Sequence, residues 1–149
     1  MVSVDALDNP KERASYVITK IRYLVTAEDG GNDLKTDKKL RAAISAFQQT
    51  FKEIKTDKLV SYYACALNKG LIFFQGWMYI SENYLSFYSY IFGFENKISV
   101  ELKNIKSIEK VKTKGGSSDD GLSVETKSGS NFKFTNLFNR NEAYEVLLQ

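Results

Sequence analysis

The spacing of the apolar residues changes once along this chain, at about Leu59. Upstream of Leu59 the apolar residues recur at steps of three and four, which is the period of an amphipathic helix. Asn9 is a favourable N-cap and Pro10 a favourable first helical residue, so the first helix is predicted to begin there. One side of this helix carries Ala14, Val17, Ile18, Ile21, Leu24 and Val25.

A second helix is predicted after a break at residues 28–35, where Gly30-Gly31 interrupts the pattern. This helix starts at about Asp37, and its apolar side carries Leu40, Ala43, Ile44, Phe47 and Phe51 and reaches toward Ile54. Both apolar sides need a surface to cover. Residues 1–56 are therefore interpreted as a helical extension that precedes a compact domain at residues 57–149.

From Leu59 onward the period is two, and short apolar runs alternate with turn residues, which indicates strands. Seven strands are predicted, at residues 59–67, 72–80, 84–90, 97–102, 105–112, 122–126 and 131–135. Leu102, Ile105, Ile108 and Val111 are spaced by three, and a β-bulge near Ser107 would restore the alternation. The longest break, at residues 115–120, is rich in glycine, serine and aspartate.

A last helix is predicted from Asn139 or Arg140, with Ala143, Val146 and Leu147 on one side. Seven strands and a closing helix predict a mainly β fold. Its antiparallel strands form a sandwich or open barrel, and the C-terminal helix caps the open corner. Because this helix stops at Gln149, we expect the chain to be part of a longer protein.

Composition narrows the function classes. The charge balance of 21 basic and 18 acidic residues, +3, is too small to predict a nucleic-acid partner. The single cysteine, Cys65, cannot form an internal disulfide and fits a reducing compartment. The sequence shows neither a secretion leader nor a run of about 18 apolar residues, so a cytoplasmic location is predicted.

Enzymatic chemistry is not indicated. The sequence contains no histidine, which removes the usual general base and the commonest metal ligand. Cys65 falls within a predicted strand and is interpreted as a buried structural thiol rather than a nucleophile. The carboxylates are scattered without a convergent pair, and Gly115-Gly116 lacks the spacing of a phosphate-binding loop. No catalytic residue, metal or cofactor is therefore predicted.

Three stretches carry a family resemblance: LVSYYACALNKG, FQGWMYISENYLSFYSY and ISVELKNIKSIEK. Together they resemble a GRAM domain, a pleckstrin-homology-like module of membrane-associated proteins, and most closely the first GRAM domain of TBC-type Rab GTPase-activating proteins. The resemblance covers about residues 12–111, and the sequence after Thr113 departs from it. In such proteins a separate TBC domain supplies an arginine and a glutamine finger, and neither motif occurs in this chain.

The resemblance also implies where a ligand would bind. Lys69, Lys97 and Lys127 occupy the predicted turns that cluster at one open end of this fold, where a basic rim would attract phosphate groups. Because Lys69 stands alone in the first loop, specific inositide binding is not favoured. Phe92 and Phe94, in the third turn, either enter a bilayer interface or dock a partner; alternatively, Phe92 folds back under the sheet or under the first helix.

A second lysine group, Lys103, Lys106, Lys110, Lys112 and Lys114, is opposed by Glu101 and Glu109. Lysines at these positions protect a solvated strand edge from aggregation. The alternative is a diffuse electrostatic contact with a membrane.

Two functional hypotheses follow. In the first, the chain is a peripheral membrane-targeting module of a Rab GTPase-activating protein and binds anionic phospholipid head groups through Lys69, Lys97, Lys127, Phe92 and Phe94. In the second, it is a scaffold that contacts a Rab GTPase or a neighbouring domain of the parent protein and has no lipid specificity.

Overall fold

A computed structural model of the protein describes residues 33–112 and 120–148. The elements are α1 (Asp33–Thr50), a 3-10 turn (Lys52–Ile54), β1 (Leu59–Lys69), β2 (Ile72–Ser81), β3 (Tyr84–Ile91), β4 (Phe94–Glu101), a second 3-10 turn (Leu102–Asn104), β5 (Ile105–Val111), β6 (Gly121–Thr126), β7 (Asn131–Thr135) and α2 (Arg140–Leu148). The predicted helix at Asn9–Pro10 and most of the glycine-serine segment lie outside the described residues.

The seven predicted strands are confirmed. They form one antiparallel sheet in the order β4-β3-β2-β1-β7-β6-β5. The sheet folds over on itself, because the rings of Phe87 on β3 and Phe134 on β7 lie 5.6 Å apart although these strands are not neighbours. The predicted bulge in the fifth strand is confirmed by a register shift between Ile105 and Ser107 against β6.

The main core lies inside this folded sheet, and α2 closes it. Ala143, Val146 and Leu147 of α2 are buried in the same cluster as Met78, Phe87 and Phe134. Each large apolar side chain buried in this way stabilises the fold by roughly 1.5–3 kcal/mol. The capping role predicted for the C-terminal helix is confirmed, and α2 begins at Arg140, one of the two predicted start positions.

A second, smaller core lies on the outer face of the sheet, where α1 packs. Phe47 and Phe51 are buried against Leu59 and Tyr79. The helix begins at Asp33, four residues before the predicted start at Asp37. Leu34 and Lys35 are good helix formers and extend it, so the break predicted at residues 28–35 was drawn too long.

Gly76 sets how closely β2 and β3 approach. A Cβ atom at Gly76 would overlap the carbonyl oxygen of Tyr88 and lie 2.7 Å from the Cβ of Ser89. Glycine within a strand commonly marks a bulge or a close backbone approach, and here the structure shows the close approach. The paired residues of β2 and β3 begin directly after Gly76, at Trp77 and Tyr88.

Candidate functional site at the hairpin tips

The tips of two hairpins, β1–β2 and β3–β4, lie at the same end of the sheet and expose large apolar side chains. Because β2 and β3 are antiparallel neighbours, the start of β2 lies beside the end of β3. Phe92 is 94% exposed and Leu71 is 82% exposed. Together with the exposed Phe94 and Ile72, they form a surface that we call the apolar tip.

The β3–β4 turn holds Phe92 in an unusual backbone conformation. Phe92 has φ 53° and Gly93 has φ 80°, so both central residues of this two-residue turn are left-handed, as in type I′ hairpins. Glycine adopts this conformation freely, and asparagine adopts it better than other residues with side chains. Phenylalanine is disfavoured there. The alternative prediction that Phe92 folds back under the sheet is wrong, because its ring lies in solvent.

Lys69 links the two hairpins across the open end of the folded sheet. Its ammonium group donates a 2.7 Å hydrogen bond to Asn96 Oδ1 on β4 and lies 5.9 Å from the centre of the Phe74 ring. Asn96 is buried and donates in turn to Ser89 Oγ at 3.2 Å. Among the described residues, no carboxylate forms an ion pair with Lys69, so neutral groups orient its charge next to the apolar tip.

Lys97 does not join Lys69 at this surface. The prediction placed it in the third turn, but β4 starts earlier, at Phe94, and Lys97 is its fourth residue. Since side chains alternate along a strand, Lys97 projects to the face opposite that of Asn96. There its Nζ lies 3.8 Å from Glu53 Oε1 and 5.6 Å from the centre of the Phe51 ring, beside the 3-10 turn that follows α1.

Lys127 is exposed in the β6–β7 turn, as predicted. The backbone N–H of Lys127 donates a 2.8 Å hydrogen bond to the carbonyl of Asn104. The structure thus places Lys127 beside the connection between β4 and β5, at the end of β4 opposite Phe94, and does not bring it together with Lys69 and the apolar tip.

The second lysine group follows the β5 edge of the sheet and is partly engaged. Lys103 lies 3.1 Å from Glu101, and Lys106 lies 3.8 Å from Glu125. Lys110 lies over the ring of Tyr144, 4.7 Å from its centre. These contacts and the edge position agree with the edge-protection interpretation. Lys114 lies outside the described residues.

Leu71 and Ile72 belong to the apolar tip, and the sequence interpretation did not name them as candidate site residues. They open the run LIFF after the Asn68-Lys69-Gly70 turn; the predicted second strand began at Ile72, and no role was assigned to Leu71. A usable signal was present, because four consecutive apolar residues at a strand start do not alternate. Only alternate residues of such a run can face one core. Ile72 is 58% exposed in the structure, so burial does not explain it.

The remaining candidate chemistry is structural. Cys65 is buried, and burial raises the pKa of its thiol to about 12, so it stays protonated at neutral pH. Within residues 33–112 and 120–148, no group of three or more potential metal ligands converges. Neither helix of the described part is long and apolar enough to cross a membrane.

A sheet folded over one core and closed by a C-terminal helix defines the pleckstrin-homology-like fold. Solved structures show the same fold. The C-terminal domain of an unknown protein from Leishmania infantum matches with a TM-score of 0.62 and 26% identity over 70% of this chain and 93% of that one. The DH/PH fragment of PDZRHOGEF, solved with human RhoA, matches with a TM-score of 0.55 and 13% identity over 72% of this chain and 37% of that one.

The family model of the GRAM domain matches residues 45–149. The chain therefore belongs to the GRAM domain family, and the match extends from the second half of α1 through α2. This agrees with the family resemblance found from the sequence. Members of this family and fold serve generally as membrane-binding or protein-binding modules.

Proposed function

We propose that this GRAM domain is a cytoplasmic, peripheral membrane-binding module that docks on anionic phospholipid head groups through the apolar tip and the lysines near it. The observation that carries the proposal is Phe92. Its ring is 94% exposed, so it contributes little to the core, and its backbone lies in a left-handed conformation that phenylalanine disfavours. Because Phe92 contributes so little to the stability of the fold, contact with an external apolar partner better explains its exposed ring.

The arrangement of charge supports a membrane as that partner. Apolar side chains that project from the open end would enter the interfacial region of a bilayer, and Lys69 would then lie near the head groups. Lys127 lies beside the β4–β5 connection, so its contribution is expected to come from longer-range charge. A lysine close to an anionic membrane contributes about 1 kcal/mol to binding. Lys97 is expected to act only through its long-range charge, since its side chain lies on the outer face beside Glu53.

Sedimentation of the full chain with vesicles tests this proposal, using phosphatidylcholine with and without phosphatidylserine. The variant Phe92→Asn is expected to bind about tenfold more weakly, because it removes apolar burial worth on the order of 1.5 kcal/mol. Since Asn-Gly suits a type I′ turn, the same variant should raise the free energy of unfolding by about 0.5–1 kcal/mol. Lys69→Gln is expected to weaken binding about fivefold and to reduce its dependence on salt.

Phe138→Ser is the matched control. Phe138 is 97% exposed but lies beyond the far end of β7, in the connection to α2, so its loss should leave vesicle binding unchanged. Equal losses in the Phe92 and Phe138 variants would contradict a site at the apolar tip. Failure of the full chain to bind any anionic vesicle would overturn the lipid proposal and favour the alternative, a protein-docking scaffold.

We further propose that the parent protein is a TBC-type Rab GTPase-activating protein, in which this domain positions the catalytic domain at a membrane. The support is the resemblance of the WMYIS and LSFYS strands and the preceding LRAAISAFQQTF helix to those proteins. The parent gene provides the test: a TBC segment with both catalytic fingers in the same reading frame is expected. A parent gene without that segment would contradict this assignment and leave the membrane proposal standing.

A further inference from the structure

A groove on the outer face of the sheet runs between α1 and the central strands. Ala42 and Ala46 form its helical wall, and Tyr62 and Trp77 form its floor, in a cavity of about 540 Å³. The rings of Tyr62 and Trp77 lie 6.0 Å apart, and Trp77 is still 46% exposed. A half-exposed tryptophan at the centre of an apolar groove marks a surface that another element can cover.

The shape of the groove fits a helix. Lys39, Ala42 and Ala46 follow each other at steps of three and four, so they lie along one side of α1. Small side chains on that side allow a second helix to approach to about 8 Å from the axis of α1. The apolar side of this second helix would then pack on Trp77, and its adjacent side would pack against α1.

We propose that residues 10–25 of this chain form an amphipathic helix that packs antiparallel to α1 in this groove and covers Trp77. Their sequence has one apolar side, formed by Ala14, Val17, Ile18, Ile21, Leu24 and Val25. The seven residues 26–32 lie between this segment and α1. Connections of about two to eight residues are common between antiparallel helices.

The lengths agree with this packing. A helix of 16 residues is about 24 Å long, and α1 from Asp33 to Ala46 spans about 20 Å. A segment that reverses direction before Asp33 therefore runs alongside the whole groove wall. The apolar tip lies at the hairpin turns and the groove lies beside α1, so packing in the groove does not depend on the proposed membrane site.

The opposite side of α1 suits the segment less well. A second groove there is lined by Leu40, Ile44 and Phe47, but also by the charged residues Lys55, Asp57 and Lys58. An apolar helix side placed on it would remove charged groups from water without compensation. The groove over Trp77 has Lys39 as its one charged lining residue.

Trp77 reports on the proposed packing, because it is the only tryptophan in the sequence. Quenching of its fluorescence by acrylamide, a neutral probe, can be measured in the full chain and compared with free N-acetyl-tryptophanamide. We expect the wild-type quenching constant to be several-fold below the value for an indole that is 46% exposed. Ile18→Asp, on the apolar side of the segment, should raise it toward that value.

Thr19→Asp is the matched control, since the neighbouring residue lies on the opposite, polar side of the predicted helix and should leave quenching unchanged. Ala42→Glu blocks the groove from the side of α1, at an exposed position that tolerates substitution, and should also raise quenching. If Ile18→Asp disturbs folding, quenching in the Ala42→Glu variant provides the test of the proposal. A wild-type quenching constant equal to that of a half-exposed indole would overturn the proposal. Protection of Trp77 from acrylamide that appears only as the protein concentration rises would also overturn it, and would indicate that a second copy of the chain covers the groove.

Discussion

At the scale of single residues, Gly76 shows how one missing side chain determines strand packing. The φ angle of Gly76 does not lie in the left-handed region, so glycine is needed here for space rather than for backbone freedom. The carbonyl of Tyr88 and the Cβ of Ser89 occupy the volume that a side chain would need. The close approach of β2 and β3 at this point therefore depends on glycine.

Gly76→Ala is expected to lower the free energy of unfolding by about 2–3 kcal/mol, because the added methyl group overpacks a contact made by backbone atoms that cannot rotate away. Chemical denaturation at equilibrium measures this loss. Gln75→Ala, at the exposed neighbouring position, is the control and should change stability by less than about 0.5 kcal/mol. Similar small losses in both variants would show that the two strands can move apart.

At the scale of elements, α1 is attached to the sheet mainly through two aromatic residues near its end. Phe47 is fully buried, and its ring lies 5.7 Å from the rings of both Phe51 and Tyr79. Much of the rest of the described helix is exposed or half-buried. The packing of α1 is thus concentrated at a single cluster on the outer face.

Phe47→Ala is expected to destabilise the domain by about 3 kcal/mol, the lower end of the range for deletion of a buried aromatic ring. Thermal and chemical unfolding would measure it. The adjacent exposed Gln48 provides the control variant, Gln48→Ala, which should be near neutral. If Phe47→Ala were also near neutral, α1 would contribute little to stability and its contact with Tyr79 would be incidental.

The elements were predictable from the sequence because the signals for them are local. Alternation of apolar residues and turn residues gave the strands, and the irregular spacing around Ser107 gave the bulge. The surface was harder to predict, because exposure depends on which strand ends extend past the core. Leu71 and Ile72 resemble core residues in sequence, and Lys97 resembles a turn residue until β4 is seen to begin at Phe94.

At the scale of the whole molecule, the stability of the domain depends on groups buried without charge. Cys65 is 0% exposed within the main core, and burial raises the pKa of its thiol from 9.0 to about 12. Tyr63 lies in the same core, and burial raises the pKa of its phenol above the ordinary value. In both cases the folded state favours the protonated, neutral form.

The free energy of unfolding is therefore expected to fall as the pH rises above about 9. In that range the unfolded chain loses the Cys65 proton while the folded chain keeps it until about pH 12, so the unfolded state binds fewer protons. Under this linkage each such group lowers stability by up to about 1.4 kcal/mol per pH unit. Between about pH 6 and 8 the stability should be nearly constant, since the sequence has no histidine.

The variant Cys65→Ala separates the contribution of the thiol from that of the tyrosines. It removes the group that titrates first in the unfolded chain, so its stability should decline less steeply than that of the wild type between pH 9 and 10. Up to about pH 12 the two curves should continue to diverge, because the folded thiol keeps its proton while the unfolded thiol has lost it. The tyrosines, Tyr63 among them, remain in both proteins and add the same slope to each curve. Denaturation curves recorded at intervals from pH 7 to 11 provide the comparison. Parallel curves from pH 8 upward would mean that Cys65 titrates alike in the folded and unfolded chains, which its complete burial does not allow.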